Sequence, residues 1–594
     1  MLDRSAAAAG AGAGLPIAWR RTSFFVLVVA TSVAMLALAT LALSPGGIDT
    51  LDVLLLLMVA ATLPWQVTGL WNSTIGILIT RFARDPVATL FPGAAIRGDE
   101  AITAKTAILV CIRNEVPERV IRNLKTLLSG LATERVADQF RAYVLSDTTD
   151  PAMAAAEDSV FGAVASEARD GSAIIYRRRR VNTEFKAGNI RDFCERWGAA
   201  HDFALVLDAD SLMSAEAVLR LVRVMQANPR LGILQSLVVG LPSTSAFARL
   251  FQFGMRLGMR SYTIGSAWWQ ADCGPYWGHN ALIRLAPFIA HCSLPELRTR
   301  GGRKVPILSH DQVEAVLMRR AGFEVRVLPE EQQSWEENPA TLLEFIRRDL
   351  RWCQGNMQYW RLLGLPGIKP TSRYQFAFAM MMFVGSPAWT GLLILGTTLV
   401  AMSASPRDVI RPDAGGTLLV LMLAMLMWPK LTTFVHVLTY GKERAAFGGG
   451  PRLIASMICE TIFSLMLMPI MWFGHTMFLA RLPFTRSVSW SGQLRDDHRV
   501  PLRLACRVLW PYTLVGIAAI GALAVTHPAA IPYALPLAGG LALSIPLAVI
   551  SALPKVGAGL VNIGIGRLPE ETAAPASLQA LALPAVAAVR PSST

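Results

Sequence analysis

The long apolar runs of this chain, and the charged stretch they enclose, constrain its architecture before any motif is considered. Uncharged runs occupy 24–44, 53–71, 374–404, 508–527 and 531–553, and near-uncharged runs occupy 414–440 and 453–480. A helix of about 20 apolar residues crosses roughly 30 Å of hydrocarbon, so these runs predict membrane helices. The stretch 73–373 differs: charges are frequent, and strand-like and helix-like patterns alternate. It is long enough to bury a complete α/β core. Only 16% of the chain is charged, against about one quarter in a soluble domain, which argues against an ordinary cytosolic enzyme.

The formal charge of +14 does not point to nucleic acid. Its excess Lys and Arg lie largely beside the apolar runs and within 73–373, as expected of residues that face the cytoplasm and anionic headgroups. The tract Arg177-Arg178-Arg179-Arg180 follows a strand-like run and reads as a solvated strand end or an anion binder. Seven cysteines without a C-x-x-C pair indicate neither a zinc ribbon nor a disulfide framework, and reduced thiols suit a cytosolic face. Arg20-Arg21 before the first run imitates a signal peptide, but the run is too long for that, and a second follows closely; we read a retained span.

Charge placement then predicts topology. The N-terminus (1–19) is expected in the cytoplasm, two spans (20–72) return the chain there, and 73–373 is a cytoplasmic domain with interfacial helices. Two further spans fill 374–440. Both flanks of 453–480 are basic, Pro469 interrupts the run, and Glu460 would be costly at the bilayer centre. The segment 441–507 is therefore expected to combine an interfacial or re-entrant element at 453–480 with a basic gating-type loop at 481–507. Two last spans (508–555) leave a cytoplasmic tail (556–594), expected to be disordered beyond about 570. Lys430 is expected either to line a path through the spans or to snorkel to the interface.

Within 73–373, Ala107–Ile112 leads into Arg113-Asn114-Glu115 and a helix opened by Pro117. Tyr143–Leu145 leads into Ser146-Asp147 and a helix from Pro151, and Phe203–Leu207 leads into Asp208-Ala209-Asp210 and a helix from about Ala215. Such alternation implies a parallel sheet wrapped by helices, with ligands beyond the carboxyl ends of the strands. Asn114, Asp147, Asp208 and Asp210 fall at those ends. Two carboxylates in D-x-D can share a hard divalent cation with a diphosphate, although either Asp could simply cap a helix. No Walker loop or G-x-G-x-x-G is present. Lys186-Ala187-Gly188-Asn189 opens a helix whose first turn suits an anion.

The second half carries other chemistry. Cys273-Gly274-Pro275-Tyr276-Trp277-Gly278-His279-Asn280, after Trp268-Trp269, offers aromatic faces and polar rims that suit sugars; core packing or a membrane-facing belt is the alternative. Asp311 in Ser309-His310-Asp311 is either a helix cap or a general base. Arg347-Arg348-Asp349-Leu350-Arg351-Trp352 falls on an amphipathic helix of interfacial type.

In order, Asp147, Asp208-Ala209-Asp210, Ser309-His310-Asp311 and Arg348-Asp349-Leu350-Arg351-Trp352, with Lys186-Ala187-Gly188-Asn189, resemble the motifs of the processive family-2 glycosyltransferases. Arg348 stands where that family has Gln, and S-H-D replaces its T/E-E-D. Both departures, and the wording CGPYWGHNALIR, LSHDQVEAVLMRRAG and RRDLRWCQGN, look like the branch that builds osmoregulated periplasmic glucans. The resemblance implies a membrane α-helical bundle plus a cytoplasmic α/β GT-A (Rossmann-like) glycosyltransferase domain in a bacterial inner membrane. It implies inverting transfer from UDP-glucose to a growing linear β-1,2-glucan, with Mg²⁺ or Mn²⁺, and export of the product. Another β-1,3- or β-1,4-glucan or amino-sugar synthase, or a silent nucleotide-sugar-sensing transporter, are the alternatives.

By the same resemblance, Asp147 contacts uracil or ribose, and Asn114, Glu115 and Lys186 hold the nucleotide. Asp208 supports the nucleotide sugar and Asp210, with Asp208, the metal. Asp311 is the base, Arg351 neutralises the leaving diphosphate, and Arg348 assists there. Trp277, His279 and Trp352 line the acceptor path, and Arg486, Trp490 and Gln493 belong to a gating-type loop. Partners implied are the lipid bilayer, acyl carrier protein and periplasmic glucan-processing proteins, and no nucleic acid.

Overall fold

The computed structural model describes residues 15–96, 98–167, 174–298, 301–484 and 497–582. The loop candidates Arg486, Trp490 and Gln493 lie outside them.

A seven-stranded sheet organises the charged stretch. Its strands are β1 (Thr106–Ile112), β2 (Phe140–Ser146), β3 (Ile175–Arg178), β4 (Phe203–Asp208), β5 (Leu231–Ser236), β6 (Ala281–Arg284) and β7 (Glu324–Leu328), in the spatial order β7-β5-β6-β4-β1-β2-β3. The unbroken apolar run of β1 reflects burial on both faces. Ile108 and Val110 enter one core cluster, and Ala107 and Leu109 enter the other. Parallel pairing sets Cys111 opposite Asp208 and Ile112 opposite Ser146. The acidic strand ends therefore converge at one edge.

The sheet is mixed, not wholly parallel. β6 runs antiparallel to both β4 and β5. The cause lies in the segment before it: the helix Ala246–Gln270 carries the chain away from the sheet. The chain returns through 271–280 at the carboxyl edge, so the next strand must run backwards. Most of the circumference of this 25-residue helix is covered, with even Arg249 and Arg256 buried. Membrane-type helices cover one side: Gly76 meets the Ser261 backbone, and Gly265 that of Asn72, so closely that a Cβ at either would collide.

Among the described residues, six helices are long and apolar enough to cross a membrane: Ile17–Ala42, Thr50–Phe82, Pro370–Met402, Pro412–Thr439, Gly450–Arg481 and Leu502–Thr526. The fifth takes in the run 453–480, which was expected to be interfacial or re-entrant. It is one continuous helix of 32 residues with Pro469 inside it, about 48 Å long at 1.5 Å per residue. Glu460 is 1% exposed but paired with Lys430 and Ser464, so its charge is offset locally. Lys430 is thereby engaged, giving Ser464 Oγ a 2.6 Å hydrogen bond.

The broken element lies later, where Pro528–Ala542 and Ser544–Ser551 meet at 55°. This segment was expected to be the second arm of a hairpin of spans. Pro536, Gly539 and Gly540 weaken its helix. The tail also departs from the expected disorder, being helical at Pro569–Thr572 and Ala576–Ala582. Glu571 pairs with buried Arg249 at 2.6 Å, and Glu570 with buried Arg256 at 3.0 Å. Charges on the Ala246–Gln270 helix that find no water there find the tail instead.

Candidate active site

The D-x-D turn ends β4, and Lys186 reaches it from the second turn position of the helix Phe185–Trp197. The Lys186 ammonium donates to Asp208 Oδ1 and to the carbonyl of Gly278, the latter at 2.8 Å. Burial works against that ammonium, yet the Asp208 charge and hydrogen bond outweigh it and hold Lys186 above its ordinary range. One cation thus ties the acidic turn to the aromatic loop 273–280. Gly278 has φ +85°, and a Cβ there would stand 3.3 Å from that of Asp311. The predicted base is therefore packed on the same loop. Asp311 lies in the first turn of His310–Arg320, but the N-cap is Ser309, so the cap reading of Asp311 does not hold. Its neighbour His310 is buried and ion-paired with Glu314 at 3.0 Å. Burial disfavours the imidazolium, but Glu314 more than compensates and raises its pKa.

Asp210 is buried and Asp208 partly open. Among the described residues no group of three or more His, Cys, Asp or Glu could hold a metal ion. Two carboxylates alone suit a cation that keeps waters and takes its remaining ligands from substrate phosphates. Cys111, opposite Asp208, is no nucleophile: burial pushes its thiol up to about 12 and keeps it neutral.

Asp147 ends β2 as expected, but both carboxylate oxygens are taken by Arg179, at 2.7 and 2.6 Å, in a pair only 5–7% exposed. Asp147 is thus held in a buried ion pair just beyond the end of β2. The basic tract is likewise engaged: Arg177 pairs with Asp192 at 2.8 Å and Arg178 with Asp158 at 2.8 Å. The tract is thus ion-paired at Arg177, Arg178 and Arg179, while Arg180 is exposed. Asn114 has φ 55°, and its Oδ1 accepts from the backbone N–H groups of Thr149 and Asp150 at 3.0 and 3.1 Å. It joins the loops after β1 and β2. Glu115 is half-buried beside it.

Arg348, on the helix Leu342–Met357, lies 4.7 Å from the Trp352 ring centre and donates to Asn338 Oδ1 at 3.2 Å. Arg351 is half-buried and Trp352 half exposed. His279 stands 3.4 Å from Glu336, whose carboxyl neighbours Arg348, Asp210 and Asp208. Trp277 instead packs on the cluster of Leu212, Leu237, Val239 and Trp335, with Leu578 and Leu581 of the tail. Trp269 is core as well, stacked on Phe24 at 4.4 Å with its N–H on Asn72. For these two indoles the packing reading holds.

Sequence reasoning missed Glu336, Asn338 and Arg179 as individual site elements. The Arg179 signal was visible as the basic tract; Glu336 lies on a strand of three residues, too short to show periodicity.

The chain matches the model for glycosyl transferase family 2 over 108–291 and that for glycosyl transferase family group 2 over 203–437. It is 36% identical over 532 residues to glucans biosynthesis glucosyltransferase H of Pseudomonas entomophila, covering 87% of this chain. Residues 108–291 thus form a region similar to glycosyl transferase family 2. The family's matched region contains the D-x-D turn, Lys186 and the aromatic loop, and the wider match takes in Asp311 and the Arg348–Trp352 motif. The glucosyltransferase H of Pseudomonas paraeruginosa is also 36% identical, over 80% of this chain. The chain spans 62% of the first relative's length and 56% of the second's. Among solved structures, a mannosyltransferase of Pyrobaculum calidifontis in complex with GDP-Man and Mn²⁺ aligns with a TM-score of 0.38 and 14% identity, over 61% of this chain and 98% of that one. The likeness rests on the family models and the homologues.

Proposed function

We propose that this protein is an inverting, processive glucosyltransferase. It takes glucose from UDP-glucose and extends a linear β-1,2-glucan of the periplasmic class, which its membrane helices pass outward. The observation that carries the reading is the Lys186 bridge, which gathers Asp208, the Gly278 loop and Asp311 around one edge of the sheet. The homology to glucosyltransferase H supplies glucose and glucan as the expected substrates. The spans favour a multi-pass protein of the bacterial inner membrane, with the catalytic domain and both termini cytoplasmic.

Asp208 and Asp210 would hold Mg²⁺ or Mn²⁺, which when bound supplies charge neutralisation of the donor diphosphate. Asp311 takes the proton of the acceptor hydroxyl as that oxygen attacks the anomeric carbon. The new C–O bond forms as the bond to the diphosphate oxygen breaks on the opposite face, inverting the centre. Lys186 and Arg351 face the negative charge that passes to UDP, and preorganised cations there lower the barrier. Trp352 offers a half-exposed ring to the acceptor sugar.

The test is UDP release from labelled UDP-glucose by membranes containing the protein, with linkage analysis of the product. UDP together with β-1,2-linked polymer is expected. Another linkage would replace the β-1,2 assignment, and binding without UDP release would overturn the enzyme. Asp311→Asn should abolish polymer while keeping UDP affinity; an unchanged polymer yield would overturn the base assignment.

A further inference from the structure

We propose that Glu336 is a sugar-reading residue of this site, its carboxylate accepting hydrogen bonds from ring hydroxyls of the hexose being transferred. The proposal rests on the glucosyltransferase reading above.

The placement of Glu336 is built in from three sides. Its strand, Ser334–Glu336, pairs antiparallel with Leu212–Met213, the residues that follow the D-x-D turn, and parallel with Val239–Gly240. The strand is also sewn to the aromatic loop: Asn280 Nδ2 donates to Ser334 Oγ at 2.9 Å and to the Trp335 carbonyl at 3.2 Å. Asn280 makes these contacts from φ 49°. Side chains alternate along a strand. Trp335 enters the apolar cluster, so Ser334 and Glu336 share the opposite face, against the loop.

On that face Glu336 Oε2 lies 3.4 Å from His279 Nε2, with its side chain four-fifths buried. The charges around it are Arg348 from the helix Leu342–Met357, His279 from the loop, and Asp208 and Asp210 from the turn. Burial pushes its carboxyl above the usual range, and the two acidic neighbours add to this while His279 and Arg348 oppose it.

A carboxylate has about four lone-pair sites, and the single long contact with His279 does not use them all. The ligand that suits such a group is a neutral donor of hydrogen bonds. A phosphate would meet a third negative charge beside Asp208 and Asp210. A hydroxylated ring brings several O–H donors and no charge, and satisfies a buried carboxylate that would otherwise cost stability. A diphosphate anchored at the D-x-D turn directs its sugar to the neighbouring position, where Glu336 stands.

The experiment uses the full chain in membranes and compares wild type with Glu336→Gln, Glu336→Ala and Glu336→Asp. The readouts are kcat/KM for UDP-glucose, the inhibition constant of UDP alone, and discrimination between UDP-glucose and deoxyglucose analogues of it. Glu336→Gln and Glu336→Ala are expected to lower kcat/KM by about 10- to 100-fold, as for loss of a hydrogen bond to a charged group. UDP inhibition should change little, and Glu336→Asp should recover part of the loss. The Gln and Ala variants should also discriminate less well against the analogue that lacks the recognised hydroxyl. Unimpaired kcat/KM in an active background, or an equal loss of affinity for UDP alone, overturns the role of Glu336 and leaves the glucosyltransferase reading standing. A wild type that releases no UDP from UDP-glucose overturns that reading itself, and this proposal with it.

Discussion

Asp349 and His475, 126 residues apart, are hydrogen-bonded between the arginine-rich helix and the long helix Gly450–Arg481. His475 Nδ1 is shared with Ser386 Oγ at 3.0 Å, one residue before Pro387 in a third helix. Asp349 sits between Arg348 and Arg351, so this contact fixes the rotation of the helix that presents both guanidinium groups.

His475→Ala should therefore be costly in two ways. It leaves a largely buried carboxylate without its partner, for which a loss of about 3–5 kcal/mol is typical, read as a lower melting temperature in detergent. It should also reduce turnover of UDP-glucose more than it changes UDP affinity, because Arg348 and Arg351 lose their register. Unchanged stability and turnover would show that the contact carries no structural load.

Lys186→Met removes the link between Asp208 and the Gly278 carbonyl. A hydrogen bond to a charged group is worth about 1.5–3 kcal/mol, so UDP-glucose binding should weaken by roughly 10- to 150-fold. Titration with UDP measures this directly. Lys186→Arg should not restore activity fully, since a planar fork does not replace a point charge.

Chelation of divalent ions should abolish UDP release, and Mg²⁺ or Mn²⁺ should restore it. Asp210→Asn is expected to shift the metal concentration for half-maximal rate upward by tenfold or more, as two carboxylates share the ion with the diphosphate. Metal-independent transfer would count against the role given to the D-x-D turn.

The pH profile should show the Glu336 carboxyl. Its pKa in the folded protein is raised, so the carboxylate needed to accept sugar hydroxyls is lost as pH falls, starting above the ordinary carboxylate value of 4.5. The acidic limb of kcat/KM should therefore lie above that value in wild type. In Glu336→Gln the limb should move downward, at a lower overall rate. The same sign means that folding stability from this group is greatest when it is protonated and declines as pH rises through its pKa.

Glu570→Ala leaves Arg256 with Glu331 alone and removes a 3.2 Å hydrogen bond from Trp335 Nε1. Breaking a buried pair in this way typically costs about 3–5 kcal/mol. A clearly lower melting temperature is expected, together with reduced activity, since Trp335 precedes Glu336 on the site-bearing strand.

Much of the architecture is legible in the residues alone. Five of the six spans read from apolar length are helices able to cross a membrane, because hydrocarbon thickness sets a length that can be counted. Strands β1 and β4 announce themselves as apolar runs leading into polar residues, β2 only in its second half because Arg141 interrupts it, and Asp208, Asp210 and Lys186 lie where those patterns place them. That 453–480 lies in one continuous helix with Glu460 buried was not legible, for a physical reason. The cost of Glu460 depends on whether a cation meets it, and Lys430 lies thirty residues away.

What only the tertiary structure decided are the partnerships between distant segments. The sequence determines that Asp147, Asp311, His279 and Glu336 exist in a domain of this class. It does not determine that Asp147 is consumed by Arg179, that Gly278 seats Asp311 beside the Lys186 bridge, or that the tail covers Arg249 and Arg256. Periodicity reports only which side of its own element a residue occupies. Charge pairing at 3 Å between chain-distant residues follows from how the elements are packed, and that packing places the candidate catalytic groups.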